Sequence, residues 1–345
     1  MAQTRRGPEQ GKAVKWLVAV LVVVSLLGAA AGAYLAFFRG PGEEPADPES
    51  KGVIIDAAEG EQILAVASEG GRVFFVRSAV DKEKACDPPC YRAELRELGP
   101  RGGQRIMGRE GEPTVVAVGA SHVLWGASGV FEAAGVDGRA SRLISAAGDR
   151  VAVDTTHAFF AGIDLTRVDL VSGKVETLVS GANAADVAID DRSVYFVEPR
   201  AGVVWRLLKS GGPRTPIAKE LPGALRLALG RGRVYVATAG EGAGAGAVWD
   251  VATDGTDKTK VASFDGRPVA IGVTRSNIDV LLWPGAGRAT LLTIGTGGAA
   301  LVLRQLQPPA LAVVSPSTKP VEPGMVSTDR FVYVPSARGL LQVER

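Results

Sequence analysis

Short apolar runs separated by turn residues dominate the chain from residue 52 onward. In DDRSVYFVEPRAGVVWRLLKSGG, residues 190–212, the runs VYFV and VVWRLL are divided by EPRAG and closed by KSGG. The runs are mostly continuous rather than alternating, which is typical of strands covered on both faces. After residue 50, no stretch keeps apolar positions at a 3.6-residue period over ten residues, so the pattern predicts an all-β protein.

One unit of this pattern recurs along the chain. Its most apolar run is aromatic or aliphatic and reappears at spacings of 35 to 52 residues. The seven runs are RVFFV around Phe74, HVLWG around Leu124, HAFFA around Phe159, SVYFV around Tyr195, RVYVA around Tyr235, DVLLW around Leu281 and FVYVP around Tyr333. Self-similarity at such spacings indicates a repeat architecture.

Further strand-like segments flank each of these runs. A short apolar stretch such as VAID precedes the run, a Gly-led stretch such as GVVWRLLKSGG follows it, and a fourth run such as RTPIAKEL comes last. Four strands in a unit of about 40 residues predict a β-propeller of seven four-stranded blades over residues 52–345, with six or eight blades as alternatives. The last unit ends after its third strand, so we expect GVIIDAA, residues 52–58, to pair beside it and close the ring.

The repeat also carries a family resemblance. AIDDRSVYFVEPRAGVVWRLLKSGG resembles the blades of bacterial extracytoplasmic propellers of the TolB-like, YVTN-like and YWTD-like type, and RVYVATAGEG is similar to a loose YVTN signature. DVLLW departs from that pattern, since it has no tyrosine. The resemblance implies the fold over residues 52–345 and a position outside the cytoplasm. It implies no single activity, because such propellers serve as binding platforms and, less often, as enzymes.

The first 51 residues differ from the rest. Residues 16–38 carry no charge, and 23 such residues are long enough to cross a bilayer as a helix. Four basic residues precede this segment and acidic residues follow it, which predicts a cytoplasmic tail at 1–15, a single-pass inner-membrane anchor, and an extracytoplasmic, periplasmic remainder. GAAAGA at residues 28–33 leaves a cleaved signal peptide as the alternative. Residues 39–51, RGPGEEPADPESK, predict a disordered linker.

The charge balance argues against a nucleic-acid partner. The whole chain carries +2, and residues 1–15 account for +3, which leaves −1 for everything that follows. Nucleic-acid binding depends on clustered Lys and Arg that neutralise phosphates. We therefore expect no nucleic acid, and we expect contact with the membrane through residues 16–38.

Few residues point to a chemical site. The two cysteines, Cys86 and Cys90, are close in sequence and predict a structural disulfide outside the cytoplasm. His122 and His157 are the only histidines and occupy equivalent turns, so neither a metal site nor a cofactor is expected. Four aspartates, Asp154, Asp190, Asp191 and Asp329, fall in turns between the first two strands of their units, where hydrogen bonds to the backbone are their expected role.

A Pro-rich insertion, residues 305–324, separates the last two units. Long loops in compact folds are often functional, so this segment predicts a partner-binding loop. The residues assigned to it are Pro308, Pro309, Pro316, Lys319, Pro320 and Pro323. The sequence thus favours a propeller that binds an envelope protein or another envelope component without catalysis. A hydrolase or lyase at the mouth of the propeller channel is one alternative, and a ligand sensor that signals through a partner is the other.

Overall fold

The part of the chain that the structure describes contains 28 strands and no helix. The computed structural model describes residues 53–58, 61–84, 90–99, 102–127, 129–148, 150–240, 246–283, 289–295, 301–306, 324–336 and 339–345. Within these ranges, nothing helical is long and apolar enough to cross a bilayer. The predicted tail at 1–15, anchor at 16–38 and linker at 39–51 lie outside the described residues.

The strands form seven antiparallel sheets of four strands each, which confirms the predicted seven-bladed propeller. The second to fifth strands form blade one, the next five sets of four strands form blades two to six, and the last three strands form blade seven together with the first strand. The strands are β1 (Val53–Asp56), β2 (Glu61–Glu69), β3 (Arg72–Val80), β4 (Tyr91–Gly99), β5 (Gly102–Glu110), β6 (Val115–Val118), β7 (His122–Ala127), β8 (Val130–Gly135), β9 (Arg142–Ser145), β10 (Arg150–Val153), β11 (His157–Ala161), β12 (Leu165–Asp169), β13 (Val175–Val179), β14 (Asp186–Ile189), β15 (Ser193–Glu198), β16 (Val203–Leu208), β17 (Thr215–Ala218), β18 (Ala224–Gly230), β19 (Arg233–Thr238), β20 (Gly246–Ala252), β21 (Lys258–Phe264), β22 (Pro268–Val273), β23 (Asn277–Leu282), β24 (Thr290–Gly295), β25 (Leu301–Gln305), β26 (Val326–Ser327), β27 (Phe331–Ser336) and β28 (Gly339–Glu344).

The ring is closed by the pairing of β1 with β28. The two strands are antiparallel, with Ile55 opposite Leu340 and Asp56 opposite Gly339. The predicted role of GVIIDAA is therefore confirmed. The pairing covers the outer edge of β28, which would otherwise expose unpaired backbone groups.

The core consists of seven apolar clusters, one between each pair of neighbouring blades. The second strand of each blade supplies the largest side chains. Nine aromatic residues of these strands are buried, namely Phe74, Phe75, Trp125, Phe159, Phe160, Tyr195, Phe196, Tyr235 and Tyr333. The continuous apolar runs in the sequence follow from this arrangement, because each blade is covered on both faces.

The second strand of blade six starts at a different residue from the one predicted by matching the seven apolar runs. The third residue of the second strand is Phe74, Leu124, Phe159, Tyr195, Tyr235, Asp279 and Tyr333 in blades one to seven. Aligning the sixth unit on DVLLW is therefore wrong by two residues, because β23 begins at Asn277 rather than at Asp279. An aspartate thus takes the place of the aromatic or leucine side chain between blades six and seven.

Candidate functional site

Seven inner strands surround the axis of the propeller. They are β2, β6, β10, β14, β18, β22 and β26, and each packs against the next around the ring. Where these strands begin, a cavity of about 200 Å³ opens on the axis. We call it the channel mouth, and its lining includes Ala65, Arg150, Asp186, Arg226, Ala270 and Met325.

Backbone bulges set the orientation of three lining residues. The pairing of β2, β18 and β22 with the second strand of their blade shifts register just before Ala65, Arg226 and Ala270. A bulge inserts one extra residue and can turn the following side chain to a new direction. All three residues that follow the bulges line the cavity. In blade five that residue is an arginine, in a strand that is otherwise Ala, Leu and Gly.

Arg226 is a charged residue held inside this end of the ring. Only 5% of its surface is exposed. Its Nε donates to the carbonyl oxygen of Val269 at 2.7 Å, and its Nη1 donates to the carbonyl oxygen of Leu225 at 2.7 Å. Burial, and after it the charge of Arg150, lower the pKa of the Arg226 guanidinium to about 9. The group therefore carries its charge at neutral pH in surroundings that oppose that charge.

Arg150 reaches the same backbone oxygen from another part of the ring. It is the first residue of β10 in blade three, and its Nη2 lies 3.4 Å from the carbonyl oxygen of Val269 in blade six. Val269 is the extra residue of the bulge in β22. Two guanidinium groups, from blades three and five, therefore converge on one carbonyl group of blade six.

Two more charged residues complete this end. Asp186 is the first residue of β14, and its Oδ2 accepts a hydrogen bond from the backbone N–H of Leu227 at 3.0 Å, which links blades four and five. Arg267 directly precedes β22, and its charge also lowers the pKa of Arg226, whereas that of Asp186 raises it. Arg150, Arg226, Arg267 and Asp186 are thus charged residues of this end of the ring.

The arrangement suits ion recognition better than acid–base chemistry. Guanidinium groups present several N–H donors in a plane and bind carboxylate or phosphate oxygens in pairs. A general acid or base needs a pKa near the working pH. The charged groups described at the mouth are guanidinium groups and one carboxylate that already accepts a backbone hydrogen bond. Within the described residues, no three His, Cys, Asp or Glu side chains come together as metal ligands.

The predicted site residues lie largely outside the described ranges. Cys86 is among those undescribed, so its disulfide with Cys90 stays a prediction; the carbonyl oxygen of Cys90 accepts from the backbone N–H of Asp81 at 2.8 Å. The six loop residues Pro308, Pro309, Pro316, Lys319, Pro320 and Pro323 also lie outside them. The two ends of the 305–324 segment are described. Leu306 is buried at the end of blade six, and Gly324 lines the channel mouth.

The two histidines lie at the other end of the inner strands. His122 and His157 each follow the turn that joins the first and second strands of a blade. Their Nδ1 atoms lie 2.9 Å from Ser121 Oγ and 2.8 Å from Thr156 Oγ1. The structure therefore keeps them in separate turns, away from the channel mouth.

Two of the four aspartates have the expected role in turns. Oδ1 of Asp154 accepts from the backbone N–H groups of Thr156 and His157, and Oδ1 of Asp190 accepts from those of Arg192 and Ser193. In blade seven, a threonine instead of an aspartate accepts the backbone hydrogen bond in the turn between the first and second strands. There the hydroxyl of Thr328 accepts from the backbone N–H of Phe331, and Asp329 is only the second residue of the turn. Asp191 has the same second position in blade four.

The sequence analysis missed the charged cluster. A signal for Arg226 was present, since ALRLALG places an arginine between leucines in a predicted buried strand. Arg150 and Asp186 gave a weaker signal, because each stands at the start of an inner strand, where a loop residue is equally expected. Only the closed ring brings the three together.

Comparisons with solved structures identify the fold. Streptogramin B lyase superimposes with a TM-score of 0.58 at 14% identity, over 84% of this chain and 95% of that one. The extracellular domain of BT4673 from B. thetaiotaomicron gives 0.54 at 10% identity, over 85% and 39% of the two chains. The GH74 enzyme of Niastella koreensis gives 0.55 at 14% identity, over 84% and 53%. No protein-family model and no curated protein matches the sequence.

Identities this low show a shared propeller fold and nothing further. The first of these structures is a lyase, and the third is a GH74 enzyme. The second is the extracellular domain of BT4673, which is described both as a one component system and as a hybrid two component system. One fold therefore serves several functions, and the function of this chain has to be argued from its own residues.

Proposed function

We propose that the chain is a membrane-anchored, extracytoplasmic β-propeller that binds an envelope protein or another envelope component at the channel mouth, without catalysis. The convergence of Arg150 and Arg226 on the carbonyl oxygen of Val269 carries this proposal. Charged side chains held in a fixed geometry at a concave end of a rigid ring are typical of a binding site.

The contacts of these residues favour binding over hydrolysis or elimination. Arg226 donates hydrogen bonds to the carbonyl oxygens of Val269, Leu225 and Ala185. Asp186 accepts from the backbone of the neighbouring blade. A hydrolase or lyase would need a proton donor and acceptor poised beside the reacting bond. The described lining residues offer cationic donors for that place instead, so recognition is the better supported role.

The sequence supports the proposed location. Residues 16–38 are uncharged and follow four basic residues, which favours an anchor with a cytoplasmic N-terminus. A linker of 13 residues at about 3.3 Å per residue spans at most roughly 40 Å. In this proposal the propeller therefore works close to the outer surface of the inner membrane.

The Pro-rich loop enters this proposal through its C-terminal end. Gly324, the last residue of the 305–324 segment, and Met325 line the channel mouth. A partner bound at the mouth would be within reach of the loop, so we assign the loop a share of the partner contact.

Mild cross-linking of the full-length protein in its own membrane, followed by mass spectrometry, tests the proposal. One variant replaces residues 305–324 by a short Gly/Ser turn, a second carries Arg150→Glu, and a control carries Arg192→Glu in an exposed turn at the far end of β14. We expect one reproducible envelope partner for the wild type and the control, and its loss with Arg150→Glu. Equal capture by all four forms would refute a binding role for the mouth.

A further inference from the structure

The direction of β1 determines at which end of the ring the preceding chain joins it. The strands of a blade are antiparallel, so the third strand begins at the same end as the first, which is the end of the channel mouth. Asp56 lies opposite Gly339, the first residue of β28, whereas Val53 lies opposite Leu341. β1 therefore runs toward the mouth, and the residues before Val53 join the ring from the opposite end, which we call the far face.

Four exposed aliphatic side chains lie at the far face, where third strands end and fourth strands begin. These residues, which we call the apolar patch, belong to blades two, three and four and are Leu143, Val171, Val175 and Leu208. Leu143 and Val171 are 70% and 69% exposed. Large apolar side chains grouped on one surface indicate an interaction site.

Hydrogen bonds fix the part of the patch that blades two and three share. Nη1 of Arg142 in blade two donates to the carbonyl oxygen of Ser172 in blade three at 2.7 Å. Oδ1 of Asp169 accepts from the backbone N–H groups of Val171 and Ser172 at 3.0 and 2.6 Å. Leu143 and Val171 therefore adjoin the two residues that connect the blades, and the turn holds Val171 in its exposed position.

Basic residues accompany the apolar patch. Arg142 directly precedes Leu143, Lys174 directly precedes Val175, and both basic residues are exposed. The other charged side chains of this surface occur in pairs, namely Arg139–Asp137, Arg167–Glu176, Lys209–Asp154 and His157–Asp169. Arg142 and Lys174 thus give the patch a positive border, which complements an anionic surface.

We propose that the far face rests on the surface of the bilayer, with the apolar patch among anionic lipid headgroups and with Arg142 and Lys174 beside their phosphates. Exposed aliphatic side chains next to basic ones are typical of interfacial membrane binding. The inference rests on the proposed function, because it requires the anchor at residues 16–38. It adds an orientation, in which the channel mouth faces away from the membrane.

The linker favours this orientation. Residues 39–51 span at most roughly 40 Å when fully extended. With the far face on the bilayer, the linker reaches β1 directly. The opposite orientation would lead it past the height of a blade, roughly 20 Å for a six-residue strand, and so would use about half of its reach. The far-face orientation leaves the linker more of its conformational freedom.

Photo-cross-linking of the full-length protein in liposomes of phosphatidylethanolamine and phosphatidylglycerol tests the inference. One variant carries Val171→p-benzoylphenylalanine. The matched control carries Ile163→p-benzoylphenylalanine, because Ile163 belongs to the same blade and is 77% exposed, but lies in the turn between the second and third strands at the mouth end. We expect the yield of lipid adducts at Val171 to exceed that at Ile163 about tenfold or more.

Two further changes distinguish binding by the patch from mere closeness to the bilayer. Leu143→Ser with Leu208→Ser, and separately Arg142→Gln with Lys174→Gln, should each lower the adduct yield at Val171 about threefold or more. Replacing phosphatidylglycerol by phosphatidylcholine should act like the loss of the two basic residues. Circular dichroism confirms that the strands of each variant are intact.

Equal yields of lipid adducts at Val171 and Ile163 would overturn the inference, and so would a yield at Val171 that none of these changes lowers. Adducts that join Val171 to a second copy of the protein instead of to lipid would also overturn it. If the envelope partner is still captured by the wild type and lost with Arg150→Glu, the proposed function stands while the far-face orientation falls. Lipid adducts as expected without any captured partner would mean the reverse.

Discussion

Single carboxylates fix the turns of this propeller, and Asp190 is the clearest case. Oδ2 of Asp190 accepts a hydrogen bond from the hydroxyl of Tyr195 at 2.7 Å, and Oδ1 accepts from two backbone N–H groups. Burial opposes the charge of this group, but the hydrogen bonds of Tyr195 and the backbone outweigh burial and lower the pKa of Asp190. Burial, together with this contact, raises the pKa of Tyr195 to about 12.

We expect Asp190→Asn to lower the free energy of unfolding by about 1–2 kcal/mol at pH 7. An amide keeps an acceptor for the backbone but loses the charge that favours Tyr195. Because the folded-state pKa is lowered, the stabilisation is present above the unfolded pKa of about 3.9 and disappears as the pH falls through the folded value. Urea unfolding should therefore show a smaller difference between the two proteins at pH 3.

The neighbouring residue provides the control for that experiment. Asp191 is exposed in the same turn, and Asp191→Asn should change the free energy of unfolding by less than about 0.5 kcal/mol. An equal loss for both substitutions would mean that net charge, rather than the hydrogen bonds of Asp190, determines the stability of the turn.

Asp279 represents the opposite use of a carboxylate, inside the core. Its side chain is fully buried; it accepts from Thr293 Oγ1 at 2.8 Å and pairs with the guanidinium of Arg345. Removing one member of a buried pair leaves the other without compensation, which typically costs about 3–5 kcal/mol. We therefore expect Asp279→Ala to lower the free energy of unfolding by that amount.

A double-mutant cycle with Arg345→Met measures the coupling of the pair. Replacing both residues, as Asp279→Leu with Arg345→Met, should recover part of the loss, because blade two has a leucine at the equivalent position. The exposed pair Arg330–Glu344 is the control, and Glu344→Gln should cost less than about 1 kcal/mol. Additive losses in the cycle would contradict the assigned pair.

At the scale of elements, closure of blade seven depends on one glycine. Gly339 has a φ of 140°, and a Cβ at this position would overlap the carbonyl oxygen of Ile55 in β1. Gly339→Ala should therefore separate β1 from β28 and lower the free energy of unfolding by about 3 kcal/mol or more. Gly232→Ala is matched to it, because Gly232 also has a positive φ but open space around it, and it should cost only about 1 kcal/mol.

Hydrogen exchange of the β1 and β28 amides distinguishes loss of closure from general destabilisation. Exchange should accelerate in β28 of Gly339→Ala while blades two to five keep their protection. Uniform acceleration in all blades would show that Gly339 acts on the whole fold rather than on the closing pair.

The elements also show what the sequence can and cannot predict. Blade number, four strands per blade and the pairing of β1 follow from local apolar runs and turns, because each strand carries its own signal. The register of blade six was missed, since VLLW is more apolar than the segment that contains Asp279. The channel mouth was missed for a different reason. A bulge depends on how two strands pair, so the sequence of β18 alone does not show that the Arg226 side chain points into the cavity.

At the scale of the whole molecule, the proposed anchor at residues 16–38 would determine where the propeller works. An uncharged segment of 23 residues would extend about 34 Å as a helix, slightly more than a hydrocarbon core of about 30 Å. We expect the protein to resist extraction by alkaline carbonate and to keep its N-terminal residues. The intact mass of the membrane-bound protein checks this, because cleavage after Ala33 would remove the tail and most of the span.

The pairing of β1 with β28 also has a consequence for the order of events during synthesis. The ribosome makes Ile55 early, and its partner Leu340 emerges only after all the intervening blades. Until then β1 has no neighbour in its own sheet, and blade seven does not exist. Since contacts so distant in sequence form slowly, the ring must mature after translation of β28, and every nascent chain passes through a stage in which the apolar face of blade one that packs against blade seven is uncovered.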